Sequence, residues 1–137
     1  GHSISADGRY VAFSSEATNL VTGDTNAKAD VFVYDRQAHT ISRVSVADDA
    51  TQGDNHSWEA LISANGRWVV FRSQATNLVT GDTNGKSDIF IKDLTNTNIA
   101  GAITRVSTDS AGAQVNGDSR NVVFSRLAGR NAAAQGL

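Results

Sequence analysis

Cysteine is missing from all 137 positions. That excludes a disulfide framework and any thiolate metal site. The absence suits an oxidising compartment, and a secreted or periplasmic location is expected. Charge of one sign is missing too: 12 Lys and Arg stand against 14 Asp and Glu, a formal net charge of −2 with both signs interspersed. The chain therefore has no electrostatic footprint for nucleic acid or for an anionic membrane. No apolar run approaches the roughly 20 residues that a membrane-spanning helix needs, so membrane insertion is not expected. No signal-peptide pattern is visible, and Gly1-His2 reads as a remnant of tag cleavage. Catalytic signatures are absent as well. There is no H-E-x-x-H and no P-loop, and Gly117-Asp118-Ser119-Arg120-Asn121 lacks the second glycine of a nucleophile elbow. The chain is not expected to be an enzyme. An enzyme site at the centre of a ring would need residues from across a subunit boundary.

What the sequence has is a repeat. Ile4–Asp35 recurs without a gap as Ile62–Asp93, a period of 58 residues, with 22 of 32 pairs identical. A repeat of this size is one supersecondary unit, which cannot bury its apolar face alone. Gly, Asn, Asp, Ser and Thr are plentiful, which points to many turns and an all-β class. Arg9–Ser15, Asp30–Arg36 and Thr40–Val46 read as three short strands, B, C and D. The second copy gives Arg67–Ser73, Asp88–Leu94 and Ile103–Thr108. Between the copies, Ser57–Ser63 reads as a strand A that runs into the Asn65-Gly66 turn. Val11-Ala12-Phe13 is a continuous apolar run, as expected of a strand covered on both faces.

Four-stranded antiparallel sheets in tandem read as β-propeller blades. The predicted module spans 3–125, with strands B–D of blade one in 9–46 and strands A–D of blade two in 57–108. Blade one begins at the end of a strand A, Ser3-Ile4-Ser5. Val106–Ser119 matches Val44–Ser57 at an offset of 62, and Arg120–Ser125 matches Trp58–Ser63. Residues 120–125 are thus a spare strand A, followed by an irregular tail, 126–137. Two blades cannot close a ring, and each would expose an apolar face. A homo-oligomer is expected, with three chains giving six blades. The spare strand would complete blade one of a neighbour beside its strand B. The alternative is a fragment of a larger secreted propeller protein.

SADGRYVAF, DVFVYD and RVS resemble, in order and spacing, the TolB-type, WD-like propeller repeats. The longer form with NLVTGDTN is similar to repeats of large bacterial secreted or envelope proteins. The resemblance covers residues 3–130. It implies the propeller fold and a role in binding or assembly, and it implies no reaction. Two departures stand out. Ala60 and Val122 replace the proline common in strand A, and two blades stand where the family has six to eight.

Two groups of residues are candidates for binding. Asp24, Asn26 and Asp30 recur as Asp82, Asn84 and Asp88. Asp-x-Asn-x-x-x-Asp puts three oxygen-bearing side chains in one loop, as Ca²⁺ coordination requires. The same pattern also forms Asx turns that bond their own backbone. The second group follows from strand parity, which brings the B–C and D–A connections to one rim. Asp54, His56, Trp58, Asn116 and Asp118 lie there. An aromatic among polar groups suits a protein or glycan ligand, and a two-blade chain in a six-bladed ring resembles small trimeric propeller lectins in architecture. Blade packing is the other reading of Trp58. Trp68, at the position of Tyr10, reads as core or inter-blade packing. Arg43 and Arg105 of strand D are expected to pair with Asp35 and Asp93 across the sheet.

Overall fold

The computed structural model describes residues 2–96 and 102–122. It is all-β, with two four-stranded antiparallel sheets of sequential order. The first contains β1 (His2–Ile4), β2 (Tyr10–Ser15), β3 (Asp30–Asp35) and β4 (Thr40–Arg43). The second contains β5 (Ser57–Ile62), β6 (Trp68–Ser73), β7 (Asp88–Asp93) and β8 (Ile103–Arg105). Among the described residues no helix is long and apolar enough to cross a membrane.

The β1–β2 and β5–β6 turns are built alike. Ser5 Oγ donates to Asp7 Oδ1 and accepts from the Tyr10 amide, while Gly8 adopts φ +74°. Ser63, Asn65, Trp68 and Gly66 repeat the arrangement. This turn lets β1 pair although it is short: Ile4, Ser3 and His2 stand opposite Val11, Ala12 and Phe13. The sequence reading left that edge for a neighbour's spare strand. The structure corrects this, since β1 already holds half of β2. Arg120–Val122, the described part of the spare strand, is not a strand, and Val123–Ser125 and the tail 126–137 lie outside the described residues. The backbone nevertheless follows β5. Ser119 donates to the Ser87 carbonyl as Ser57 donates to Ala29, both at 2.8 Å. Asn121 and Glu59, 62 residues apart, share the left-handed conformation (φ +63° and +56°).

The β4 and β8 strands end earlier than expected for a definable reason. Val44 and Ser45 both direct their amides to the Val31 carbonyl, which is a bulge. The Ser45 hydroxyl then takes over the ladder bond to the Val31 amide at 3.1 Å, and Ser107 does the same for Ile89 at 3.0 Å.

Each sheet is pinned by an aromatic cross-strand pair. Phe13 stacks on Phe32, and Phe71 on Phe90, with ring centroids 5.8 Å apart in both. β5 packs against β1, β2 and β3, so the core lies between the sheets. Ala12, Val31, Val33 and Val44 of the first sheet meet Ala60, Ile62, Val69 and Phe71 of the second. Repeat-related residues differ sharply in exposure across this arrangement. Ile62 is 5 % exposed but its counterpart Ile4 is 53 %; Val44 is 1 % exposed but its counterpart Val106 is 47 %. Among the described residues there is thus one filled junction, with exposed apolar positions at each end.

Candidate functional site

The loop rim is real and is organised by the two Asp-x-Asn-x-x-x-Asp segments. Asp30 opens β3 fully buried. Its Oδ1 accepts from the Ser45 hydroxyl at 2.7 Å and its Oδ2 from the Asn26 amide nitrogen at 2.9 Å. Asn26 also donates to the Gly53 carbonyl and accepts from the Lys28 amide, closing an Asx turn. The second copy repeats every element. Asp88 accepts from Ser107 at 2.7 Å and from Asn84 at 3.0 Å, while Asn84 bonds the Val115 carbonyl and the Lys86 amide.

The positive charge of each node comes from the chain itself. Arg43 Nη1 stands 3.4 Å from Asp24 Oδ1 and 3.4 Å from Asp30 Oδ2. Arg105 Nη1 stands 3.5 Å from Asp82 and 3.9 Å from Asp88. The expected pairing of Arg43 and Arg105 with Asp35 and Asp93 does not occur. The register sets Arg43 opposite Phe32 and Thr40 opposite Asp35, so the guanidinium reaches the other end of β3. Asp35 and Asp93 pair instead with Arg9 (2.8 Å) and Arg67 (3.0 Å). Those arginines hold both carboxyls well below the usual carboxylate range. Burial pushes the Asp82 carboxyl up, and nearby Asp88 adds to this, against the pull of Arg105.

These residues do not fit calcium. A hard cation needs six to eight oxygens converging on one point. Here Asn26 and Asn84 turn their amide nitrogens, not their oxygens, toward the carboxylates. A guanidinium stands beside both carboxylates. Among the described residues no group of three or more His, Asp or Glu side chains is placed to hold a metal ion.

Gln52 and Gln114 bind the rim together, nine residues after Arg43 and Arg105. Gln52 Oε1 accepts from Arg43 and from the Thr25 amide, and its Nε2 donates to Thr25 Oγ1 at 2.6 Å. Gln114 makes the same three bonds to Arg105 and Thr83. The sequence reading missed the roles of Gln52, Ser45 and Ser107. The signal was the repeated Arg-Val-Ser followed by Gln.

The candidate ligand residues divide by position. His56 Nδ1 accepts from the Ala29 amide at 2.9 Å, which places its remaining proton on Nε2, and its ring stacks on Trp58 at 5.3 Å. The Arg72 guanidinium lies 5.4 Å from the Trp58 ring centre. Trp58 is thus engaged by side chains of its own chain. Asp118 Oδ1 accepts from the Ser87 amide at 2.8 Å, in the place that His56 holds one repeat earlier. Asp54 reaches into the next sheet: its carboxylate accepts from the Thr76 amide (2.7 Å) and the Thr76 hydroxyl (2.6 Å). Asn116, its counterpart, is exposed. The structure therefore joins Asp54 and His56 to the filled junction, sets Trp58 opposite Arg72 within the second sheet, and leaves Asn116 at the open end. An open groove of about 940 Å³ runs beside that junction, between 47–51 and 76–83.

No family model and no curated protein matches this chain. Solved structures similar to it include TolB from Acinetobacter baumannii, at 20 % identity and a TM-score of 0.47, with 82 % of this chain and 21 % of that chain covered. The tricorn protease is similar at 18 % identity and a TM-score of 0.45, with 98 % of this chain and 16 % of that one covered. The chain spans about a fifth of the length of the first and less of the second.

Proposed function

We propose that the chain is a two-blade β-propeller module that closes by self-association, three chains forming six blades, and that it serves as a non-enzymatic binding or scaffolding ring. One observation carries this reading. The residues that fill the junction inside the chain, Ile62 and Val44, are repeated at its two ends as exposed Ile4 and Val106. The end of one copy therefore offers what the start of the next lacks. Such an interface is heterologous, and it closes into a ring when the rotation per blade allows. Covering both faces removes an aggregation hazard. In this ring the Asp-x-Asn-x-x-x-Asp loops are rigid corners held by arginine, and the rim they stiffen is the surface for a partner.

Light scattering tests the reading. A mass of three chains supports it, and a stable folded monomer overturns it. Continuation of the propeller in one longer polypeptide is the other way to cover the faces. The start of a third unit at Ser119 and Asn121 is the observation that favours it.

A further inference from the structure

We propose that the rim segment Gln114–Asn116 of one copy docks on Thr18-Asn19 of the next, through a polar staple that sets the register of the ring. The proposal rests on the self-association reading and names its interface. Its template lies inside the chain, where the first sheet meets the second. There the Asp54 amide donates to Asn77 Oδ1, and Asn77 Nδ2 donates to the Gln52 carbonyl, each at 3.0 Å. Thr76 supplies two further donors to the Asp54 carboxylate. Four hydrogen bonds thus tie the connection leaving one blade to the B–C loop of the next.

Both halves of this staple recur unused. Ala17–Asn26 is identical to Ala75–Asn84, so Thr18 and Asn19 carry the donors and acceptors of Thr76 and Asn77. Both are exposed, and among the described residues neither has a hydrogen-bond partner. At the other end Gln114 and Asn116 repeat Gln52 and Asp54, and Asn116 likewise has no partner among the described residues. Gln114 is already fixed by Arg105 and Thr83, as Gln52 is by Arg43 and Thr25. The socket and the plug are therefore both preformed, which limits the ordering cost of association.

A second pair of positions agrees. The Tyr10 ring lies over Gly66 of the following sheet so closely that a methyl group there would stand 2.6 Å from it. Trp68 is the counterpart of Tyr10, and Gly8 of Gly66. Among the described residues no aromatic ring covers Gly8; Arg36 and Ile4 are its nearest neighbours. In the ring, Trp68 of one copy lies over Gly8 of the next.

The two staples differ at two positions: Asn116 stands where Asp54 does, and Val115 replaces Gly53, where an added Cβ would stand 3.3 Å from the Ala75 side chain. Asp54 accepts twice from Thr76, whereas Asn116 has a single acceptor oxygen and an NH₂ group. The junction between copies is accordingly weaker than the junction within one.

The test is sedimentation of the full chain over a range of concentrations, with Trp fluorescence read in parallel. Asn19→Ala and Asn116→Ala, both at exposed positions, move the assembly midpoint to roughly tenfold higher chain concentration, as expected for losing one or two hydrogen bonds. Asn116→Asp, which restores the carboxylate of Asp54, moves it to lower concentration. A wild-type chain that assembles with a midpoint unmoved by these three variants overturns the staple and leaves the ring standing. A wild-type chain that is monomeric throughout overturns both.

Discussion

Replacing Val44 and Val106 by alanine, one at a time, measures whether the open face of the second sheet becomes buried. The two residues are the same type at repeat-equivalent positions, after β4 and after β8. Burial of one methylene-sized group is worth about 0.8 kcal/mol, so truncating a fully buried valine removes about 1.6 kcal/mol of transfer free energy. The cavity left behind raises this to about 2 kcal/mol. Val44 is 1 % exposed and loses the full amount. Val106 is 47 % exposed in the single chain, so its truncation there costs about half, near 1 kcal/mol. When copies assemble, Val106 takes the environment of Val44 and the two costs converge. Urea unfolding at chain concentrations below and above the assembly midpoint reads both regimes. The expected result is a gap of about 1 kcal/mol between the variants when dilute and a gap near zero when concentrated. A Val106→Ala cost equal to that of Val44→Ala in the dilute chain would refute the reasoning, because the face would already be covered. A gap that persists at every concentration would refute it too.

Three further outcomes follow from the rim. Arg43→Leu leaves the buried Asp24 and Asp30 carboxylates without a countercharge, and a cost of about 3–5 kcal/mol in thermal or urea unfolding is expected; a loss below 1 kcal/mol would show that the guanidinium does not hold the node. Millimolar Ca²⁺ or EDTA leaves the melting temperature unchanged, since a cation bound only to the native state would raise it; a rise of several degrees with Ca²⁺ would restore the cation reading of Asp24, Asn26 and Asp30. Asp35 and Asp93 have folded pKa values below their unfolded ones, so their contribution is fully present above the ordinary carboxylate range and is lost as pH falls through it and toward the folded values. Raised Asp82 acts with the opposite sign, and its part is lost as pH rises through its folded value. Asp35→Asn is therefore expected to flatten the acid limb of the stability–pH curve, and unchanged slopes would refute the Arg9–Asp35 assignment.

Much of this architecture was legible in the sequence because repetition is a global signal. Among the described residues eight strands fall in the expected order, with ends displaced by no more than three residues. The β4 and β8 ends moved because a serine hydroxyl replaces a backbone carbonyl as acceptor, which no propensity reveals. The rim was legible from strand parity alone. Side-chain partners were not. Arg43 and Asp35 lie on adjacent strands, but pairing depends on register, and Thr40 rather than Arg43 faces Asp35. The Asp-x-Asn-x-x-x-Asp loops announce oxygen atoms but not their direction. The turn of the Asn26 amide toward Asp30 is fixed by the Lys28 amide behind it. Asp54 was expected to face a ligand at the rim beside Trp58, whereas its carboxylate is taken by Thr76, 22 residues away in the next sheet.

Every proposed role rests on the two end faces meeting their own kind. The direct measurement is the solution mass of the full chain by light scattering across a concentration series. The account predicts a concentration-dependent species of three chains, each of 14.4 kDa. A folded chain that stays at a single chain mass at every concentration would contradict it.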